Sequence, residues 1–206
     1  MAMQAQETCV MYIQWTHKSL LATTGALPAE QFLAQPSPTS PPIGWHLFHV
    51  ARWADRMQAS FGPHVSAALA AACYPGEVWV QDGLARIWGL EAKRLGFLET
   101  GAGMRIEDVA AVVAVGQQHL FDYAGQVFAL ADQTCAGLTP AEFAQTRRSI
   151  LPRFQPTPTG ELLYQGEEEG DVAGDVIFHI SHAGRHLGMI EALRGAMFAL
   201  SGTASV

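Results

Sequence analysis

The residues with chemical potential are concentrated in two short runs, Trp45-His46-Leu47-Phe48-His49 and His179-Ile180-Ser181-His182-Ala183-Gly184-Arg185-His186, which hold five of the eight histidines. Histidines three or four positions apart on a helix project from one side, and neutral imidazole is a favoured ligand of zinc, nickel, copper and iron. At about 100° per residue, His179, His182 and His186 fall within about 60° of one another. A tridentate metal site needs a helical pair plus a third imidazole from another helix, and the two runs supply both. Spacing alone leaves the choice open. His179 with His182, or His182 with His186, would each chelate an ion, and His46 competes with His49. His49 and His182 lie at the margins of their apolar stripes, where an open coordination position can face a cavity, while His46, His179 and His17 lie nearer the middle. His119 turns away from its helix's apolar stripe, and His64 follows the helix-ending pair Gly62-Pro63.

Four segments of helical periodicity must position these residues. The first covers about residues 4–23, with Val10, Ile13, His17, Leu20 and Leu21 in register. The second starts at Ile43, after a proline-rich stretch that disfavours an earlier start, and carries Leu47, Val50, Trp53 and Met57 before Gly62-Pro63. The third spans about residues 106–131, with Ile106, Val109, Val113, Gln117, Leu120, Ala124 and Val127 on one stripe, and the fourth about residues 172–200, with Val172, Val176, Ala183, Leu187, Ile190, Leu193 and Met197 facing inward.

With no run of alternating strands, the expected fold is all-α: an antiparallel four-helix bundle with long connections, one domain over residues 1–206. The connection 73–104 carries Trp79 and Trp88 and is expected to fold over one end as short helices and ordered loop, walling a pocket and covering an electrophile. Thr139-Pro140-Ala141-Glu142 has the form of a capping box, which predicts a short helix to about Arg147. Residues 151–170 hold Pro152, Pro156, Pro158 and the run Glu167-Glu168-Glu169, read as a solvated face near the positive end of the fourth helix. Gly188 is expected to permit close helix packing, and Trp45, Trp53 and Phe48 to be core residues.

Composition narrows the function classes. With 49% hydrophobic and 15% charged residues, the 206-residue chain can bury a substantial core. The balance of 12 basic against 19 acidic residues, a net charge of −7, opposes a nucleic-acid partner. Apolar stretches such as 109–115 fall far short of the roughly 20 residues a membrane span needs, and no basic-then-apolar leader opens the chain, so a cytoplasmic protein acting on a small molecule is expected, with no membrane partner. Cys9, Cys73 and Cys135 are widely spaced and outside any Cys-x-x-Cys motif, which predicts reduced thiols.

Two stretches carry a family resemblance: Gly44-Trp45-His46-Leu47-Phe48-His49-Val50-Ala51, and Gly174-Asp175-Val176-Ile177-Phe178-His179-Ile180-Ser181-His182-Ala183-Gly184-Arg185-His186-Leu187-Gly188. With the helix order along the whole chain, they resemble the DinB-like, or YfiT-like, superfamily of metal-dependent four-helix bundles. The resemblance implies His49, His182 and His186 as metal ligands, with zinc or nickel as the ion. It also implies a homodimer and a hydrolase or transferase in which the metal activates a low-molecular-weight thiol or water. Many relatives have glutamine where this chain has Met189, a departure that touches one polar contact. His46, His179 and His17 are candidates for orienting the ligands or lining the pocket, and Asp55, Asp175 and Glu191 are candidate carboxylate partners. Arg185 is a candidate for meeting a substrate anion, against the commoner role of an exposed arginine beside a buried pair. The competing functional class is a non-catalytic metal- or ligand-binding bundle.

Overall fold

A computed structural model describes residues 2–61, 67, 69, 76–158 and 162–198. Its elements in chain order are α1 (Ala2–Gly25), α2 (Ala29–Leu33), α3 (Ile43–Phe61), α4 (Val78–Gln81), α5 (Leu84–Ile87), a 3-10 turn (Ala92–Arg94), α6 (Ile106–Ala114), α7 (Gln117–Gly137), α8 (Pro140–Phe143), β1 (Thr146–Pro156), β2 (Leu162–Asp171) and α9 (Val172–Phe198). His64, Cys73 and the helix-ending Gly62-Pro63 lie outside the described residues. Cys9 and Cys135 are reduced cysteines, the second of them buried.

Helix α3 begins where the prolines stop. The carbonyl of Pro42 accepts from the amides of Trp45 and His46, so a residue that cannot continue a ladder upstream opens this one. Almost the whole of α3 is buried, including Leu47, Phe48, Val50, Ala51, Ala54 and Met57. The four long helices form a ring in which α3 lies beside α7 and α9, and α1 beside α9 and α7. Phe48 meets the buried Trp79 edge-on at 5.5 Å, and Trp79 in turn contacts Trp88 and Tyr123. Trp79 is therefore packed into the core against α3 and α7, whereas residues 80–88 are partly or fully exposed, Val80 and Ile87 by 63% and 60%. Gly44 marks a close approach, since a Cβ there would lie 2.6 Å from the Phe32 ring on α2. Gly188 does not, because a Cβ there would meet nothing within 4 Å.

Three elements depart from the sequence-based expectation. The third helix is two helices, α6 and α7, broken at Gly116 with φ +100° and ψ 150°. That backbone region is closed to residues with a Cβ. The periodic stripe passes over the break because Val109, Val112, Leu120, Ala124 and Val127 are buried on both sides of it. The capping box at Thr139 forms, with the Glu142 amide donating to Thr139 Oγ1 and the Thr139 amide to Glu142 Oε2, but α8 ends at Phe143 instead of near Arg147. Residues expected to be loop instead form an antiparallel hairpin, β1 with β2, paired from Thr146 opposite Asp171 to Pro156 opposite Leu162 with register shifts on both sides of Pro152. Prolines disguised it. In a two-stranded sheet each strand is an edge, so Pro152 is accommodated at an irregularity of the register. The acidic run thus belongs to β2, which leads directly into α9, where Asp171 Oδ1 accepts from the Gly174 amide at 2.6 Å.

Gly116→Ala separates a broken helix from a continuous one. In a continuous helix the change would stabilise by about 1 kcal/mol. At the observed backbone angles it will destabilise by about 1–3 kcal/mol, read from urea unfolding midpoints.

Candidate metal centre

Helices α3 and α9 pack side by side, and at their junction His49, His182 and His186 each offer one nitrogen, all within 4.8 Å of one another. His49 Nε2 lies 3.1 Å from His182 Nε2, and His186 Nε2 lies 3.1 Å from the same atom. His49 Nδ1 lies 2.6 Å from the Thr100 carbonyl, which can only accept. The hydrogen of neutral His49 is therefore on Nδ1, and its Nε2 presents a lone pair to the centre. The His182 nitrogen can then satisfy only one of its two facing contacts, because a ring N–H has no in-plane lone pair and a bare ring nitrogen no hydrogen. In either tautomer one of the two close contacts is left without a hydrogen bond. A cation removes the conflict, since all three atoms can point at it. Nitrogens placed tetrahedrally around zinc at about 2.0–2.1 Å stand about 3.3 Å apart, close to the separation seen here. The residues present fit a divalent ion.

The surroundings hold the three rings neutral. Burial pulls His49 down to about 4 against the opposing pull of the Thr100 bond. Burial, then the charges of His49 and Arg185, pulls His182 down to about 3. His186 is pushed lower still, first by burial and then by His49 and His182. Neutral imidazole is the form that coordinates. Trp45 stacks on His49 with ring centres 4.9 Å apart and 7° between planes, Phe178 stacks on His182, and Trp53 meets both rings edge-on. Trp53 and Phe48 are buried core as expected, with an edge of Trp53 also turned to the histidine cluster, whereas Trp45 is only partly buried and forms a wall of that cluster.

The other candidates separate into two groups. His46 stands behind His186, its Nδ1 2.8 Å from His186 Nδ1, and burial holds it near 4. His17 and His179 pair with each other away from the trio, Nε2 to Nε2 at 2.9 Å, and His17 Nδ1 is held by Asp132 Oδ1 at 2.7 Å while its ring stacks on Phe128. Burial, then His17, keeps His179 well below the usual imidazole range. Arg185 is exposed on α9, and Met189 is half exposed. Of the candidate carboxylates, Asp55 binds Arg52, Tyr123 and the amides of Val78 and Trp79, and Asp175 accepts from Ser149. The partners that do orient imidazoles are the Thr100 carbonyl and Asp132. Sequence offered no sign of the first, a backbone atom in a long connection. The second lies one turn after the buried Phe128, at the edge of the α7 stripe, which is the one signal available for it.

A helical bundle whose second and last long helices bring together three imidazoles able to hold a metal ion defines the class. The chain belongs to the DinB superfamily, whose family model matches residues 12–190. In structure it is similar to a conserved protein of Enterococcus faecalis, 14% identical, with a TM-score of 0.66 over 94% of this chain and 97% of that one. At that identity the likeness shows the fold. No curated protein matches the chain in sequence.

Acid should destabilise the metal-free fold through these rings. The unfolded chain takes up imidazole protons below about pH 6.5, whereas His46 and His49 resist until about pH 4 and His182 until about pH 3. Below pH 6.5 the unfolded state therefore binds more protons, and stability falls as pH drops towards 4. Thermal melts in chelator should show Tm declining across that window, with a shallower slope in His182→Gln. A flat profile would show that the rings protonate freely inside the fold.

Proposed function

We propose that the protein is a metal-dependent hydrolase or transferase in which His49, His182 and His186 hold a divalent cation, zinc or nickel. The observation that carries this is the convergence of the three Nε2 atoms, an arrangement that leaves one close nitrogen contact without a hydrogen bond when no cation is bound. A divalent ion in a three-imidazole site lowers the pKa of a thiol or water molecule that reaches it, which is the chemistry such enzymes need.

The chain's own residues support an open site over a closed structural one. A structural zinc site has four protein ligands. His46 is engaged with the far nitrogen of His186, and His17 with His179 and Asp132, so the two histidines best placed to complete a shell are occupied elsewhere. Trp45, Trp53 and Phe178 supply apolar walls against which a small organic substrate can lie. Thr100 holds His49 in one tautomer, and His46 anchors the His186 ring. A low-molecular-weight thiol is the proposed co-substrate, on the strength of the family resemblance. A homodimer is proposed on the same ground, and one domain over residues 1–206 and a cytoplasmic location on the composition and apolar patterning of the chain.

Purified protein should carry about one zinc or nickel ion per chain by elemental analysis. His182→Ala and His186→Ala should each lose it. Cobalt-substituted protein should change its visible absorption when a small thiol is added. Stoichiometric metal retained in both variants would end this reading, and a cobalt spectrum indifferent to thiols would leave a binding protein in its place.

A further inference from the structure

The acceptor that orients His49 is held in place by strained backbone. Thr100 follows Leu98 and Glu99, two consecutive non-glycine residues with φ of +49° and +57°. L residues adopt that left-handed region at a cost, and such strain persists only where the surroundings impose it. The turn's own backbone bonds, from Glu99 to the Gly96 carbonyl, Thr100 to the Phe97 carbonyl and Gly101 to the Leu95 carbonyl, close it, and one buried side chain grips the two strained carbonyls from outside. Arg52, one turn after His49 on α3 and 1% exposed, donates from Nε to the Glu99 carbonyl at 3.1 Å and from Nη2 to the Leu98 carbonyl at 3.4 Å. Its remaining donors bind Asp55 at 3.1 Å, Tyr123 at 3.1 Å and Glu77 at 2.8 Å, and the guanidinium lies over the Trp79 ring. Trp79 Nε1 in turn donates to Glu99 Oε2 at 2.6 Å. On the far side of Thr100, Gly101 approaches so closely that a Cβ would lie 3.1 Å from Trp45 and 3.2 Å from His49 Nδ1.

We propose that Arg52 is a positioning residue for the metal ligand His49, acting through the carbonyls of Leu98 and Glu99 to hold the left-handed turn that aims the Thr100 carbonyl at His49 Nδ1. The inference rests on the reading of His49 as a ligand. Charge balance alone does not require this geometry. An ammonium with three donors could serve Asp55, Glu77 and Tyr123, whereas the five-donor fork of arginine serves those groups and the two carbonyls together. His49 and Arg52 project from the same side of α3, so the helix that carries the ligand also carries the residue that fixes the ligand's partner. Loss of such an orienting contact typically weakens metal binding by 10–100-fold.

The test uses the full-length chain, with zinc affinity measured by competition with a chromophoric chelator and the ligand field read from the cobalt visible spectrum. Arg52→Lys should weaken zinc binding at least about tenfold and alter the cobalt bands. Glu77→Gln, which removes an ion pair of the same guanidinium without touching the loop, should lower Tm yet leave affinity and spectrum unchanged. If Arg52→Lys does not fold, Gly101→Ala carries the test, because its Cβ displaces the loop from His49 and should weaken zinc comparably. Wild-type protein that binds neither ion, with His186→Ala identical to it, would overturn the metal-centre reading itself. Wild-type binding lost in His186→Ala but unchanged in Arg52→Lys, or unchanged in Gly101→Ala where that variant carries the test, would overturn only the positioning role. An equal loss of affinity in Glu77→Gln would also overturn it, by showing a general effect of core destabilisation.

Discussion

The structure around the α3–α9 junction depends on one electrostatic constraint: three imidazole nitrogens meet in a buried space where at most one of their two close contacts can be a hydrogen bond. Burial makes protonation expensive, so the rings cannot relieve the conflict by charging. Fixing the outer nitrogen of His49 with a carbonyl removes the remaining freedom, since the hydrogen that might have turned inward is held outward. The same bond that constrains the ring therefore creates the demand for a cation. A cation bound there would couple its affinity to the stability of the fold, since binding energy would offset the cost of assembling buried polar groups.

Two buried polar systems share α9, and they explain why its histidines could be grouped but not assigned from spacing. His179, His182 and His186 are nearly co-facial, yet a helix in a ring of four has two neighbours. His182 and His186 meet α3, while His179 meets His17 on α1. An angular difference of some tens of degrees decides between the two. Only the packing of α1 and α3 on either side shows where that division falls. The competition between His46 and His49 has a similar origin: both face α9, and the two bond to the ligands at different nitrogens.

Much of the architecture was legible in the pattern of apolar residues. The starts of α3 and α9, the extent of α1 and the capping box at Thr139 follow from proline placement, period and local hydrogen-bonding chemistry, all of which act over a few residues. The break at Gly116 was missed because a single φ angle leaves no trace in a periodic stripe that continues beyond it. The hairpin was missed because its strands are rich in prolines and carboxylates, which an edge strand tolerates and a propensity argument counts against. Trp79 was assigned to a pocket when its ring belongs to the core, a matter of which face of a short helix turns inward.

By itself, the sequence determined that this chain builds long amphipathic helices and places on two of them imidazoles at chelating intervals, because helical periodicity converts spacing into direction. Tertiary structure alone decided which three converge, that Thr100 supplies the acceptor for His49, and that Arg52 braces the turn presenting it. Those contacts join residues about fifty and more than a hundred positions apart and include backbone atoms, and neither long-range proximity nor the aim of a carbonyl is encoded in any local pattern.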